Sequence, residues 1–129
     1  MNIKQHGRVT LNHGHATLKN GRFDWYQVEV DGRMVCETQD HTEARRVANF
    51  CFKQKTTPAA DIIATYVVSK TRDPETAWGM VNLLLGCCAD GCCGGVDRFE
   101  PNSKEFNEYT AWANILCAAL SKQLKGVAA

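Results

Sequence analysis

Three glycine turn signals constrain this chain more than any other feature. His13-Gly14, Asn20-Gly21 and Asp31-Gly32 cut the first forty residues at short intervals, each flanked by alternating residues. Asn-Gly and Asp-Gly favour two-residue hairpins because both central positions take φ > 0. The spacing predicts an antiparallel meander with strands near 7–12, 15–19, 22–30 and 33–38. With two-residue loops, Leu11 falls opposite Ala16, Val9 opposite Leu18, and Leu18 opposite Phe23. This register gathers those residues with Trp25, Met34 and Cys36 on one face, the expected core. The other face receives Arg8, Thr10, His15, Thr17, Lys19, Arg22, Asp24, Tyr26, Val28, Val30, Arg33 and Val35, basic at one end and apolar at the other.

Helical signals follow. Asp40 and Glu43 have capping-box spacing, and Ala44, Val47, Ala48 and Cys51 recur at i, i+3, i+4, i+7. Arg45, Arg46, Asn49 and Lys53 fall on the opposite side of that helix. Thr57-Pro58 and Asp73-Pro74 each read as a cap followed by proline in the first turn. The first opens a stripe of Ala59, Ile62, Ile63, Tyr66 and Val67. The second opens a helix to about Cys88 whose Trp78, Met80, Val81, Leu83, Leu84 and Leu85 point nearly all round, so it is expected to be the most buried. Asn102 with Glu105 offers a cap for a last helix that ends near Gly126. The fold class expected is α+β: an N-terminal four-stranded antiparallel meander packed on helices, with a helical C-terminal half and about four helices in all. No linker or repeat separates the halves, so 1–129 is expected to be one domain, with 1–57 the meander plus first helix and 58–129 the three-helix half.

Composition excludes little. Hydrophobic residues make up 44% and charged residues 22%, ordinary for a globular chain. The net charge is +1, with nine Lys/Arg against six Asp/Glu in 1–57 and six against eight in 58–129. A polar N-terminus and the absence of any long apolar run point to a cytoplasmic protein away from the membrane. In that reducing setting seven cysteines, an odd number, are expected as thiols.

Four of those cysteines, Cys87, Cys88, Cys92 and Cys93, crowd one glycine-rich stretch. Four thiols so close are able to wrap a soft metal such as zinc, but the spacing lacks the C-x2-C of structural zinc sites. Tight packing at a helix end is the simpler account, so no cofactor is expected. Catalytic patterns are missing: there is no G-x-S-x-G, phosphate loop or H-E-x-x-H. His6 and His41 read as surface loop residues, His41 at a helix start.

The cations suggest a surface instead. Arg8, Lys19, Arg22 and Arg33 on the sheet, with Tyr26 nearby and Arg45, Arg46 and Lys53 on the helix, form the candidate binding surface. The stretch Gly21-Arg22-Phe23-Asp24-Trp25-Tyr26-Gln27-Val28-Glu29-Val30-Asp31-Gly32, followed by Thr42-Glu43-Ala44-Arg45-Arg46-Val47-Ala48, resembles the strand–turn–strand–helix order of the ethylene-response-factor type DNA-binding domain, an order shared by phage integrase arm-binding domains. The resemblance covers roughly residues 7–54. It implies a three-stranded sheet that enters the major groove, backed by one helix, with Arg8, Lys19, Arg22 and Arg33 facing phosphates or base edges.

Three functions are therefore set against one another. The leading expectation is a non-catalytic protein-binding module, an accessory or inhibitor protein of the kind by which a phage or mobile element blocks a host defence nuclease complex. A homodimer would use the same apolar sheet residues. The alternative is nucleic-acid binding through the basic face, whose affinity would fall steeply with salt. The second alternative is a metal-stabilised domain held by Cys87–Cys93.

Overall fold

The structure, a computed structural model, describes residues 2–86, 100 and 102–128. It is an α+β fold in which a four-stranded antiparallel sheet precedes four helices among the described residues. Strands β1 (Asn2–His6), β2 (Val9–Leu18), β3 (Gly21–Val30) and β4 (Arg33–Thr38) lie in sequence order across the sheet. Helices α1 (His41–Lys53), α2 (Ala59–Lys70), α3 (Pro74–Gly86) and α4 (Lys104–Ala128) follow. The chain divides into two compact units, 1–59 and 60–129.

The sheet is organised by β2 and β3, which pair over ten residues from Val9↔Val30 to Leu18↔Gly21. His13-Gly14 is therefore no turn. It lies inside one continuous strand, and the first reversal falls at Gly7-Arg8, where Gly7 takes a φ of 61°. Gly14 is needed for another reason. A Cβ there would lie 2.3 Å from the Trp25 ring, because the indole rests directly on the Gly14 backbone across the strand pair. Glycine within a strand commonly marks such a close approach. At the same end of the sheet as Gly7-Arg8, Asp31 and Gly32 both take positive φ, 54° and 80°, as a type I′ turn requires.

Moving that first turn reverses the expected sorting of β3. Val9, Leu11, Val28 and Val30 share the face against α1, with Val9, Val28 and Val30 buried. Ala16, Leu18, Phe23 and Trp25 share the other. A β-bulge opposite Val28/Glu29 brings Val35 beside Cys36, and both are buried. Met34, opposite Glu29, belongs with Trp25 as expected, whereas Cys36, opposite Val28, belongs to the core. From α1, Ala44, Val47 and Cys51 close that core. Each fully buried valine contributes roughly 1.5–3 kcal/mol.

Caps set the helix starts. Asp40 accepts from the Thr42 amide at 2.9 Å, while Glu43 pairs with Arg46. Asp73 accepts from the Thr76 amide at 3.0 Å, and Pro74 opens α3 as expected. Ser103, rather than Asn102, caps α4, its hydroxyl accepting from the Phe106 amide at 3.1 Å. In the second unit α2 is the most buried helix, with Ala60, Ile62, Ile63, Ala64 and Val67 all inside. The structure thus corrects the expectation for α3, where Ala77 and Val81 are buried but Leu83 stands 67% exposed. No described helix is long and apolar enough to cross a membrane.

Replacing Gly14 with valine is expected to lift the Trp25 indole and cost about 1–3 kcal/mol in a urea titration. Unchanged stability with an unmoved Trp25 indole resonance would contradict this placement of the ring.

Candidate functional site

The sheet face turned away from α1 has two halves. Toward the β2–β3 hairpin lie Ala16, Leu18, Phe23 and Trp25. Leu18 is 57% and Phe23 36% exposed, and with Trp25 they lie on one face of the paired strands, where apolar side chains grouped in a patch can mark a contact surface. The Phe23 and Trp25 rings lie 5.8 Å apart, within the range of favourable aromatic pairs. Toward the other end lie Thr10, Asn12, Gln27, Glu29 and Glu37. Asn12 donates to the Glu29 carboxylate at 2.8 Å, so that half is polar and ordered. The residues assigned to this face by the strand pairing include no Lys or Arg from β2 to β4.

The cations expected on one face are distributed over the unit. Arg8 sits in the β1–β2 turn as a clamp. Its Nε donates to Asp31 Oδ1 at 3.1 Å and its Nη2 to Asp31 Oδ2. Its Nη1 donates to the carbonyls of Gln54 at 3.2 Å and Thr57 at 2.7 Å. The Asp31 amide returns a bond to the Arg8 carbonyl at 2.9 Å. One guanidinium thus joins two turns of the sheet to the chain leaving α1, and the Asp31 hydrogen bond raises its pKa further. Lys19 and Arg22 lie at the opposite end of β2 and β3, about 30 Å away at strand rise. Arg33 starts β4 opposite Val30. Arg46 is paired with Glu43, and Lys53 is exposed in the last turn of α1.

Arg22 and Tyr26 belong to the same face as α1, with Tyr26 near its N-terminus. Arg22 donates to Asp24 Oδ1 at 3.0 Å, and His13 Nε2 lies 2.8 Å from the same oxygen. The His13 contact first, then Arg22, holds the Asp24 carboxyl below the ordinary range. His13 stacks on Tyr26 at 4.6 Å, and Tyr26 lies 5.0 Å from His41, the first residue of α1. Tyr26 is thereby a half-buried link between sheet and helix.

Among the described cysteines, Cys36 and Cys51 are buried thiols. Burial pushes Cys51 up to about 11, so it stays protonated and poorly nucleophilic. Cys87, Cys88, Cys92 and Cys93 lie outside the described residues. The described residues contain no group of three metal-ligating side chains.

No protein-family model, no curated protein and no solved structure matches this chain. The likeness to the ethylene-response-factor type domain therefore rests on the order of three strands and a helix.

Because Arg8 satisfies part-buried carbonyls as well as Asp31, Arg8→Gln is expected to cost about 1–3 kcal/mol of stability. Lys19→Gln, at the exposed hairpin, is expected to cost under about 0.5 kcal/mol. Urea unfolding of both variants decides it: equal, small losses would contradict the clamp.

Proposed function

We propose that this protein is a non-catalytic protein-binding module, of the accessory or inhibitor kind, that docks its partner on the sheet face turned away from α1. The observation that carries the reading is the exposure of Leu18 and Phe23 beside Trp25 on paired strands. Aromatic side chains lose little rotamer freedom on docking, and Trp is among the residues that most often dominate binding energy. Glu29 and Glu37 at the other end add the charge that would set orientation. The complementary partner presents an apolar depression with cationic groups alongside.

That chemistry suits a site where a nuclease complex holds phosphates among its own cations. A phage or mobile-element inhibitor works in such a setting by occupying the site in place of nucleic acid. Direct nucleic-acid binding is the second reading, and the exposed aromatic pair is the observation in its favour, since bases stack on such rings. The carboxylates on the same face weigh against it, because each repels phosphate.

A photo-crosslinking residue in place of Phe23, in the full chain mixed with lysate of its source cell, separates these outcomes. A discrete protein adduct that survives nuclease, is lost on Trp25→Ser and does not form from position 122 is the expected result. An adduct with a second copy of the chain would reassign the face to a homodimer. Nucleic-acid adducts, with oligonucleotide affinity that falls steeply with salt, would overturn the proposal in favour of the second reading.

A further inference from the structure

A helix about 10–12 Å wide does not cover four strands spaced about 4.8 Å apart. Here α1 packs on β2, β3 and β4, and the β1 side of the sheet extends past it. The space left between them is a groove of about 450 Å³, within the usual size range of small-molecule sites. Its floor is apolar, made by Val9 and Leu11 of β2 and Ala48 of α1. Phe52, 49% exposed, lines one side, with the His6 ring edge-on at 6.2 Å and Lys55 Nζ 4.5 Å from its centre.

The rim has the opposite character. His6, His41, Arg45 and Asn49 reach the groove, and none of its described lining residues is a carboxylate. Arg45 is the distinctive member. Arg8 is neutralised by Asp31, Arg22 by Asp24 and Arg46 by Glu43. Arg45, one position from Arg46, makes no ion pair among the described residues, and its side chain borders the groove. A guanidinium beside an apolar floor fits an anion that carries an apolar body, and its planar fork favours carboxylate geometry.

We propose that this groove binds a small amphipathic carboxylate, its apolar body on Val9, Leu11, Ala48 and Phe52 and its carboxylate on Arg45. The imidazoles of His6 and His41 flank the head group. Asn49 offers an amide donor to the second oxygen. This site lies against α1, on the face opposite the aromatic patch, so the two surfaces are independently testable.

The test is a titration of the isotope-labelled full chain with decanoate, followed by amide and side-chain resonances, with decyltrimethylammonium as the cation of equal tail length. Both are kept below the concentrations at which they aggregate. Saturable shifts confined to His6, Arg45, Ala48, Asn49 and Phe52 with decanoate, and none there with the cation, are expected. Arg45→Gln is expected to weaken decanoate by about tenfold or more, with unchanged thermal unfolding. Ala48→Leu, which fills the floor, is expected to abolish the shifts. Equal response to both amphiphiles, shifts centred on Leu18 and Phe23, or no saturable response to decanoate would each overturn the assignment.

Discussion

The ten-residue pairing of β2 with β3 fixes almost everything else in the first unit. Because side chains alternate along a strand, one register decides every face at once. Val9↔Val30 and Leu11↔Val28 place a valine-rich strip where α1 covers it. The same pairing turns Phe23, Trp25 and Leu18 outward and seats the indole of Trp25 on Gly14. It also sets Arg8, one residue before β2, beside Asp31, one residue after β3. A slip of one residue would bury Phe23 and expose Val28, and would part Arg8 from its carboxylate.

Charge follows from that geometry. Several cations that a linear reading groups together are bound to local carboxylates, so they do not add up to one basic face. Arg8 is spent on architecture, joining both turns at one end of the sheet to the residues after α1. The outward face is left with aromatic and amide groups and two glutamates. Such a surface gains free energy from burial against an apolar partner and relies on charge for orientation. Arg45 stands at the edge of the groove that the width of α1 leaves open.

The sequence made part of this legible. Asp31-Gly32 was readable because both residues accept positive φ, and the starts of α1 and α3 because Asp40 and Asp73 are short acceptors before helical stripes. His13-Gly14 misled because a turn glycine and a strand glycine look alike locally. The residue that distinguishes them, Trp25, is eleven positions further along and acts only through the fold. β1, Asn2–His6, is polar and carries no alternation to announce it. α3 reaches into the core less than its apolar run suggests, because an apolar residue such as Leu83 is not obliged to be buried. The groove left no local trace either, since it arises from one helix set against four strands. His6 and His41 are exposed, but they lie in β1 and at the start of α1 rather than in loops; His41 shares a helix face with Arg45 one turn on, whereas the approach of His6 to both is a property of the packing.

The face assignment is tested most directly by adding a soluble gadolinium chelate to the isotope-labelled protein and measuring the relaxation of side-chain protons. The Leu18 methyls, the Phe23 ring and the exposed edge of Trp25 are expected to relax strongly, while the methyls of Val28, Val30 and Val35 stay protected. Strong relaxation of Val28 and Val30 with protection of Phe23 and Leu18 would contradict the register, and with it the outward docking face.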